Sequence, residues 1–561
     1  MNKILLSLVV VLVAGSSLFA QSVEQGKKFY YYKRFKSAKA ELEKVLAANP
    51  NNIEATFWLG ETLLELKDIA GAKAVFQKAL GNNGNAPLIL VGMGHVELLE
   101  GKPNDARQRF ETALSLTKSK DLMVINAIGK ANVDPNAKEG DANYAIQKLT
   151  PATQAKDFKD PATYMVLGDA YRKLVDGGGA ITNYQKAFAL DPKIAAAKER
   201  IGKIYETQGN KEFFLPAYEQ AVQIDPNYAP GWFDLYYYWY SRDINKAKEY
   251  YAKYKAVADV DATNDYEEAS IKYASKDLDG AISQSQADLT KYGEAADPRY
   301  YKLIAYSYDE KLDSVQAKNY LDQYFAKQKP ESFVPKDYEF RAKILSKFPG
   351  NEVEAMNSYQ KAIDSDTSYL GKQELLINAA AFAKKSGNRL AEANFLKQSY
   401  NTKKDPVNTD LYNLGQAYYQ GQDYKTADSI YCTVYESKYP NEIFGYLWCA
   451  RSKQAQDTTM AQGLAVDAYK TLAEKARSLP DSAKYKGQAI SSYFYLVSYY
   501  NDIKKDKATA ISYTDKILEV DPENADAKRI KEILTKAPKQ PTAPAKKPAG
   551  STGAAKSGAK K

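Results

Sequence analysis

Histidine occurs once in this 561-residue chain and cysteine twice. A lone His95 cannot build a histidine metal site. Cys432 and Cys449 stand seventeen residues apart, with no C-x-x-C and no third or fourth ligand, which excludes a structural zinc of the usual spacing. No Gly-x-x-x-x-Gly-Lys-[Ser/Thr] phosphate loop and no G-x-S-x-G elbow is present. Nowhere does strict apolar–polar alternation meet a hairpin turn, so no sheet is called for. After the first twenty residues no apolar run approaches eighteen, so no membrane-spanning segment is expected in the mature chain. The net charge of +9 falls to about +2 once six lysines of the last 25 residues and Lys3 are set aside. A body so near neutrality offers no nucleic-acid groove.

What the chain has in abundance is tyrosine, 45 against 19 Phe and 4 Trp. A tyrosine packs as an apolar body and keeps a polar tip for water or a partner. The stretch that organises these residues runs from Tyr164 to Pro192. It places Tyr164, Leu167, Gly168 and Tyr171 on one helix, then Ala180, Tyr184 and Ala187 on a second, which Asp191-Pro192 ends. Small residues (Gly168, Ala180) belong where two helix axes approach, and the large ones fill the flanks. The spacing recurs: Gly26, Gly60 and Gly94 are 34 apart, as are Ala38, Ala72 and Ala106 and the large residues Leu42, Phe76 and Phe110. The pattern resembles the 34-residue tetratricopeptide repeat, TPR.

The resemblance runs through about 22–536. Repeats are expected near 19–52, 53–86, 87–120 and 121–160, the fourth carrying Gly129, Ala142 and Ile146. A sixth unit holds Gly202 and Tyr218, with Phe214 in place of the small residue and Pro216 interrupting its second helix. Later units hold Trp232 to Tyr251, Tyr266 to Ala281, Tyr301 to Leu321, Tyr338 to Tyr359, Leu375 to Phe395 and Leu411 to Tyr431. A degenerate unit follows from Glu442 to about Arg477, then one from Tyr493 to Pro522, and 523–536 reads as a capping helix. The resemblance implies an all-α fold, a TPR α-solenoid wound as a right-handed superhelix of about 13–15 helix-turn-helix repeats. Organisation reads as a leader (1–20), an N-terminal array (21–260), a central degenerate array (261–400), a C-terminal array with its cap (401–536), and a disordered Lys/Pro/Ala-rich tail (537–561).

The leader has a basic start at Lys3, an apolar run from Ile4 to Ala14 and small residues up to Ala20, the marks of a secretory signal peptide cut after about Ala20. Gln21 follows in place of cysteine, so lipoprotein attachment is not expected. The chain is thus similar to exported, periplasmic TPR proteins of Gram-negative bacteria.

Catalysis finds little support. Gly177-Gly178-Gly179 sits in a turn between helices, with no preceding strand and no Lys-Ser/Thr after it. Glu267 and Glu268, adjacent on a helix, point apart. For His95 neither an orienting acid nor a nucleophile is visible. Cys432 lies on the second helix of one repeat and Cys449 on the first of the next, elements that pack together in a TPR stack. A disulfide is open to them in an oxidising compartment. Two small buried thiols are the preferred reading, because disulfide geometry is demanding.

By resemblance, five positions of each first helix face the concave groove and bind peptides. They fall on Phe57 and Glu61, on Asp169, Arg172 and Lys173, and on Phe233, Tyr237 and Tyr240. In later repeats they fall on Arg299, Lys302, Tyr306, Asp309 and Glu310, and on Tyr412, Gln416, Tyr419 and Gln420. With Trp232, the run Trp232–Tyr240 carries aromatics on every side of a helix and is the foremost contact patch. The resulting expectation is a non-enzymatic, cofactor-free scaffold or adaptor that binds other envelope proteins. The alternative is a cell-wall or carbohydrate-binding protein that stacks sugars on exposed Tyr and Trp and tethers to peptidoglycan or an anionic surface through the basic tail.

Overall fold

A glycine in the first helix and a ring in the second decide how each hairpin closes. The computed structural model describes residues 23–259 and 262–536; the expected leader and basic tail lie outside the described residues. At Gly60 an added Cβ would lie 2.0 Å from Phe76 Cζ, and at Gly168 it would lie 2.3 Å from Tyr184 Cε1. Any side chain at these positions would force the helices apart, and the rings they admit are fully buried. The turn between the two helices repeats too. Lys33, Lys67 and Gly101 take a left-handed conformation there, as do Val175, Gly209, Leu312, Gly387 and Gln422. Helix starts are capped by acceptors one residue ahead: Asn52, Asp68, Asp141 and Asp176 each accept an amide hydrogen bond three residues on.

The described residues form fourteen such hairpins, from 23–31 paired with Phe35–Ala48 to Lys486–Ser498 paired with Lys507–Val520, and then a closing helix, Ala525–Thr535. No strand is present among them. They fall into two compact units, one ending at Ala326 and one beginning at Lys327. Within each, consecutive helices pack side by side, and the buried side chains gather into successive clusters along the array, the largest spanning the first repeats from Val23 to Ala170.

Two local expectations need correction. In the fourth repeat the residues facing Gly129 and its neighbours are Ala145 and Leu149, both fully buried, not Ala142 and Ile146. The connection between Val133 and Ala142 is longer than in its neighbours. Asp141 caps its helix 39 residues after Lys102, which precedes the previous second helix, five more than the 34-residue period. In the sixth repeat Pro216 does not break its helix, which runs unbroken as Lys211–Ile224. The proline stands exposed on the outer side, while Phe214 packs edge-on against Tyr238, 5.4 Å away, and Tyr218 still fills the space over Gly202. The degenerate repeat consists of Ile443–Gln456 and Val466–Ser478 around a long connection. That connection is held by buried Asp457, whose carboxylate accepts from the amides of Gln462, Gly463 and Leu464 at 3.0, 2.8 and 3.3 Å.

Candidate functional site

The first helices of the N-terminal unit carry the positions expected to face a partner, and most are already in use. Phe57 and Glu61 are each 3% exposed. They do not line an open surface, which corrects their assignment as partner contacts. Glu61 Oε1 meets His95 Nδ1 at 2.9 Å, and His95 Nε2 meets Asp134 Oδ2 at 2.9 Å. Lys130 Nζ lies 3.2 Å from Glu61 Oε2 and donates to the Tyr30 hydroxyl, which donates to Glu65 at 2.9 Å. Burial alone would strip the proton from His95, but the two carboxylates outweigh it and push its pKa up to about 9. Burial likewise pulls Glu61 upward, and the His95 and Lys130 cations overcome that and hold it down at about 2. The orienting acids invisible in the sequence are therefore present, 34 and 39 residues away. Both ring nitrogens are engaged and the ring is 3% exposed, so the imidazolium is a structural cation with no free nitrogen to act as a base.

Further along the unit the same economy holds. Asp169 accepts from the Tyr184 hydroxyl at 2.8 Å and from Arg200. Lys173 Nζ donates to the carbonyls of Asn132 and Ala137 at 2.8 and 3.2 Å, while Arg172 is exposed. In the aromatic run, Trp232 faces its own second helix: its indole donates to the Pro226 carbonyl at 2.8 Å, and its ring stacks on Tyr250. It therefore leaves the proposed contact patch. Phe233 packs on Tyr254 at 5.2 Å, and Tyr240 donates to the Ser270 carbonyl at 2.9 Å. Only Tyr237 of that run is widely exposed, at 68%. Lys302 lies over the Tyr324 ring, and Tyr306 packs beside Tyr273, 6.2 Å away.

The C-terminal unit is different. Tyr412 and Tyr419, one helical face apart on Asn408–Gln420, meet Phe444 and Trp448 of the next first helix, Ile443–Gln456. Ring centroids are 6.1 Å apart for Tyr412–Phe444 and 5.0 Å for Tyr419–Trp448, both edge to face. Arg451 covers the outer face of Trp448 at 4.8 Å. Phe444 is 46% exposed, and Tyr412, Tyr419 and Trp448 are half-buried. Below them Tyr431 donates to the Tyr412 carbonyl at 2.8 Å and receives Gln416 Nε2 at 3.1 Å. Tyr431 lies at the start of a π-helical turn, Ser429–Tyr435, whose extra residue re-aims the side chains beyond it.

Cys432 of that turn is joined to Cys449 in a disulfide that ties the two repeats together directly beneath Trp448. This overturns the preference for two free thiols. The π-turn and the following helix bring the two Cα atoms to 4.9 Å, inside the range a disulfide spans. Phe444, Trp448 and Arg451 were not singled out from the sequence, although their i, i+4, i+7 spacing leaves them on one face after the packing residues are assigned. The same signal marks Leu370 and Ile377, 76% and 59% exposed on one face of Tyr369–Lys385.

Family models described as tetratricopeptide repeat match residues 30–90 and 165–229. Among solved structures, the C-terminal part of a TPR repeat-containing protein from Cytophaga hutchinsonii is 29% identical, with 48% of this chain and all of that one covered and a TM-score of 0.27. Yeast Tom70 is 14% identical over 76% of this chain and 99% of its own, TM-score 0.38. YrrB, described as a TPR protein with an unusual peptide-binding site, is 19% identical over 34% of this chain and 96% of its own, TM-score 0.22. Both family matches fall on hairpins closed by glycine against a ring, and the same packing recurs at Gly415 against Tyr431 in the second unit. The chain thus carries tetratricopeptide-repeat matches over residues 30–90 and 165–229, and its described residues form helical hairpins with no strand.

Proposed function

We propose that this protein is a non-enzymatic scaffold that holds partner proteins on the aromatic surface of its C-terminal unit. The observation that carries this reading is the group Tyr412, Tyr419, Phe444, Trp448 and Arg451. Aromatic rings and an arginine, left partly open on a rigid helical support, are the composition of binding hot spots. Rings held edge to face across two helices, over a disulfide, need little further ordering when a peptide or helix lands on them. The N-terminal unit offers less, because its equivalent positions are paired with one another.

The location we propose is the oxidising side of the cell envelope. The Cys432–Cys449 disulfide supports it, since such bonds persist outside the reducing cytosol, and the leader read from the sequence points the same way. No helix among the described residues is long and apolar enough to cross a membrane.

The test places a photo-crosslinking amino acid at Phe444 of the full chain in intact cells, with a second copy of the experiment at Lys505, outside this surface. Discrete protein adducts from position 444 that vanish on Trp448→Ala support the reading. Adducts equal at both positions, or none at 444, overturn it. Co-sedimentation with purified peptidoglycan that Trp448→Ala abolishes would move the site from proteins to cell-wall glycan.

A further inference from the structure

After seven repeats the N-terminal unit returns to its own beginning. The turn between the two helices of the first repeat, Tyr31 to Arg34, lies against the first helices of repeats six and seven and against Asp259 at the end of repeat seven. Asp259 accepts from the backbone amides of Lys36 and Ser37 at 2.8 and 3.0 Å, from the Ser37 hydroxyl, and from Arg34 Nε at 3.3 Å. It thereby caps helix Phe35–Ala48 from more than 220 residues away. In the other direction, the Tyr31 hydroxyl accepts the Ala196 amide at 3.1 Å, at the start of helix Ala195–Thr207. Tyr31 packs on Tyr228 at 5.2 Å, and Tyr32 donates to Asp225 at 2.8 Å.

Both helices capped across this seam lack a cap of their own. Arg34 stands where repeats two and five have Asp68 and Asp176, and Ile194 stands where repeats two and five have Asn52 and Asp160 before the first helix. Neither Arg34 nor Ile194 accepts a helix-start amide. Each helix borrows from the far side what repeats two and five supply locally. The seam is also incompletely filled. A cavity of about 280 Å³ remains between Tyr32 and Phe35 on one side and Pro230, Phe233 and Tyr254 on the other. A joint made of two tyrosine rings and a few polar contacts beside a cavity separates more readily than a close-packed core.

We infer that this seam is a latch. The first repeat closes the seven-repeat turn, and opening it leaves both sides folded while freeing the inner positions that now pair with one another. In the closed state Tyr30, carried by the latching repeat, donates to Glu65 and receives Lys130, so the latch and the inner cluster are released together. This device is independent of the C-terminal aromatic surface. It would gate a second partner site, one whose ligand must replace the charges Lys130 and Glu61 present to each other.

The experiment uses the full chain with hydrogen exchange at peptides covering 35–48 and 194–204, and acylation of Lys130, both read by mass spectrometry. Asp259→Ala removes the cap on Lys36 and Ser37 and leaves Tyr31 untouched. The latch predicts that the Ala196 amide nevertheless exchanges about fivefold faster or more, the change expected for a lost cap, and that Lys130 is acylated faster by a similar factor. Tyr32→Phe should move both readouts in the same direction by a smaller factor. Faster exchange confined to Lys36 and Ser37, with Ala196 and Lys130 unchanged, makes Asp259 a local cap and overturns the latch. If Asp259→Ala also strips protection from the distant helix Pro161–Lys173, the unit has unfolded and Tyr32→Phe decides by the same rule. Acylation of wild-type Lys130 at the rate of a fully exposed lysine overturns it as well.

Discussion

His95 is the single histidine of the chain, so its titration can be followed without ambiguity. Its ring lies between Glu61 and Asp134, both within 2.9 Å, and its pKa is pushed from an ordinary 6.5 up to about 9. At about 1.4 kcal/mol per pH unit, that difference corresponds to about 3 kcal/mol favouring the protonated ring in the folded protein. The sign follows from the raised value. The contribution is complete below pH 6.5, shrinks as pH rises, and is gone above about 9. Replacing His95 by Ala removes it and also leaves two carboxylates in a buried site with Lys130 as the remaining cation. The expected loss is about 3–5 kcal/mol, the range for breaking a buried ion pair. Hydrogen exchange in helices Ile53–Glu65 and Pro87–Leu99 reads the local stability directly, which avoids treating a two-unit chain as one cooperative transition. Wild-type protection should fall by about 3 kcal/mol between pH 6.5 and 9, while the His95→Ala variant stays flat over that window. A nuclear magnetic resonance titration of the labelled imidazole should give a value well above 6.5. A midpoint at or below 6.5, or a loss under about 1 kcal/mol in the variant, would refute the argument that the carboxylates outweigh burial.

Gly168→Ala should destabilise the first unit by about 1–3 kcal/mol, because the new methyl must displace the buried Tyr184 ring; denaturant midpoints of the unit check this. Val175, a β-branched residue with φ of 62° and 91% exposed, holds a strained conformation for no buried contact. Val175→Gly should therefore stabilise by about 1 kcal/mol despite the entropy a glycine adds to the unfolded chain, seen as a raised midpoint. Replacing Cys432 and Cys449 together by Ser should cost the C-terminal unit about 3 kcal/mol, as for a closed loop of about 15 residues. A reductant should reproduce the loss in the wild type and leave the double variant unmoved, which thermal unfolding in the two conditions resolves.

What the sequence determined by itself is the repeating unit. Glycine in one helix and a large residue sixteen positions on, as at Gly60 and Phe76, meet across a single hairpin. Contacts between adjacent helices depend on local spacing alone. The same reasoning misplaced the fourth repeat by three residues, because a longer connection resets the count without altering the pattern on either side of it.

The tertiary structure alone decided which inner residues remain open. Tyr237 and Tyr236 are chemically alike and adjacent, yet one is 68% exposed and the other 1%. The difference lies in Tyr251 and Glu267 from later helices, which enclose Tyr236. His95 finds its two acids on the repeats that flank its own, whereas Asp259 finds its helix start because curvature summed over successive hairpins brings distant repeats together. Each hairpin adds a small rotation set by the bulk of its buried side chains. No spacing along the chain records the total, so the contacts between the first and seventh repeats emerge only once the repeats between them are stacked.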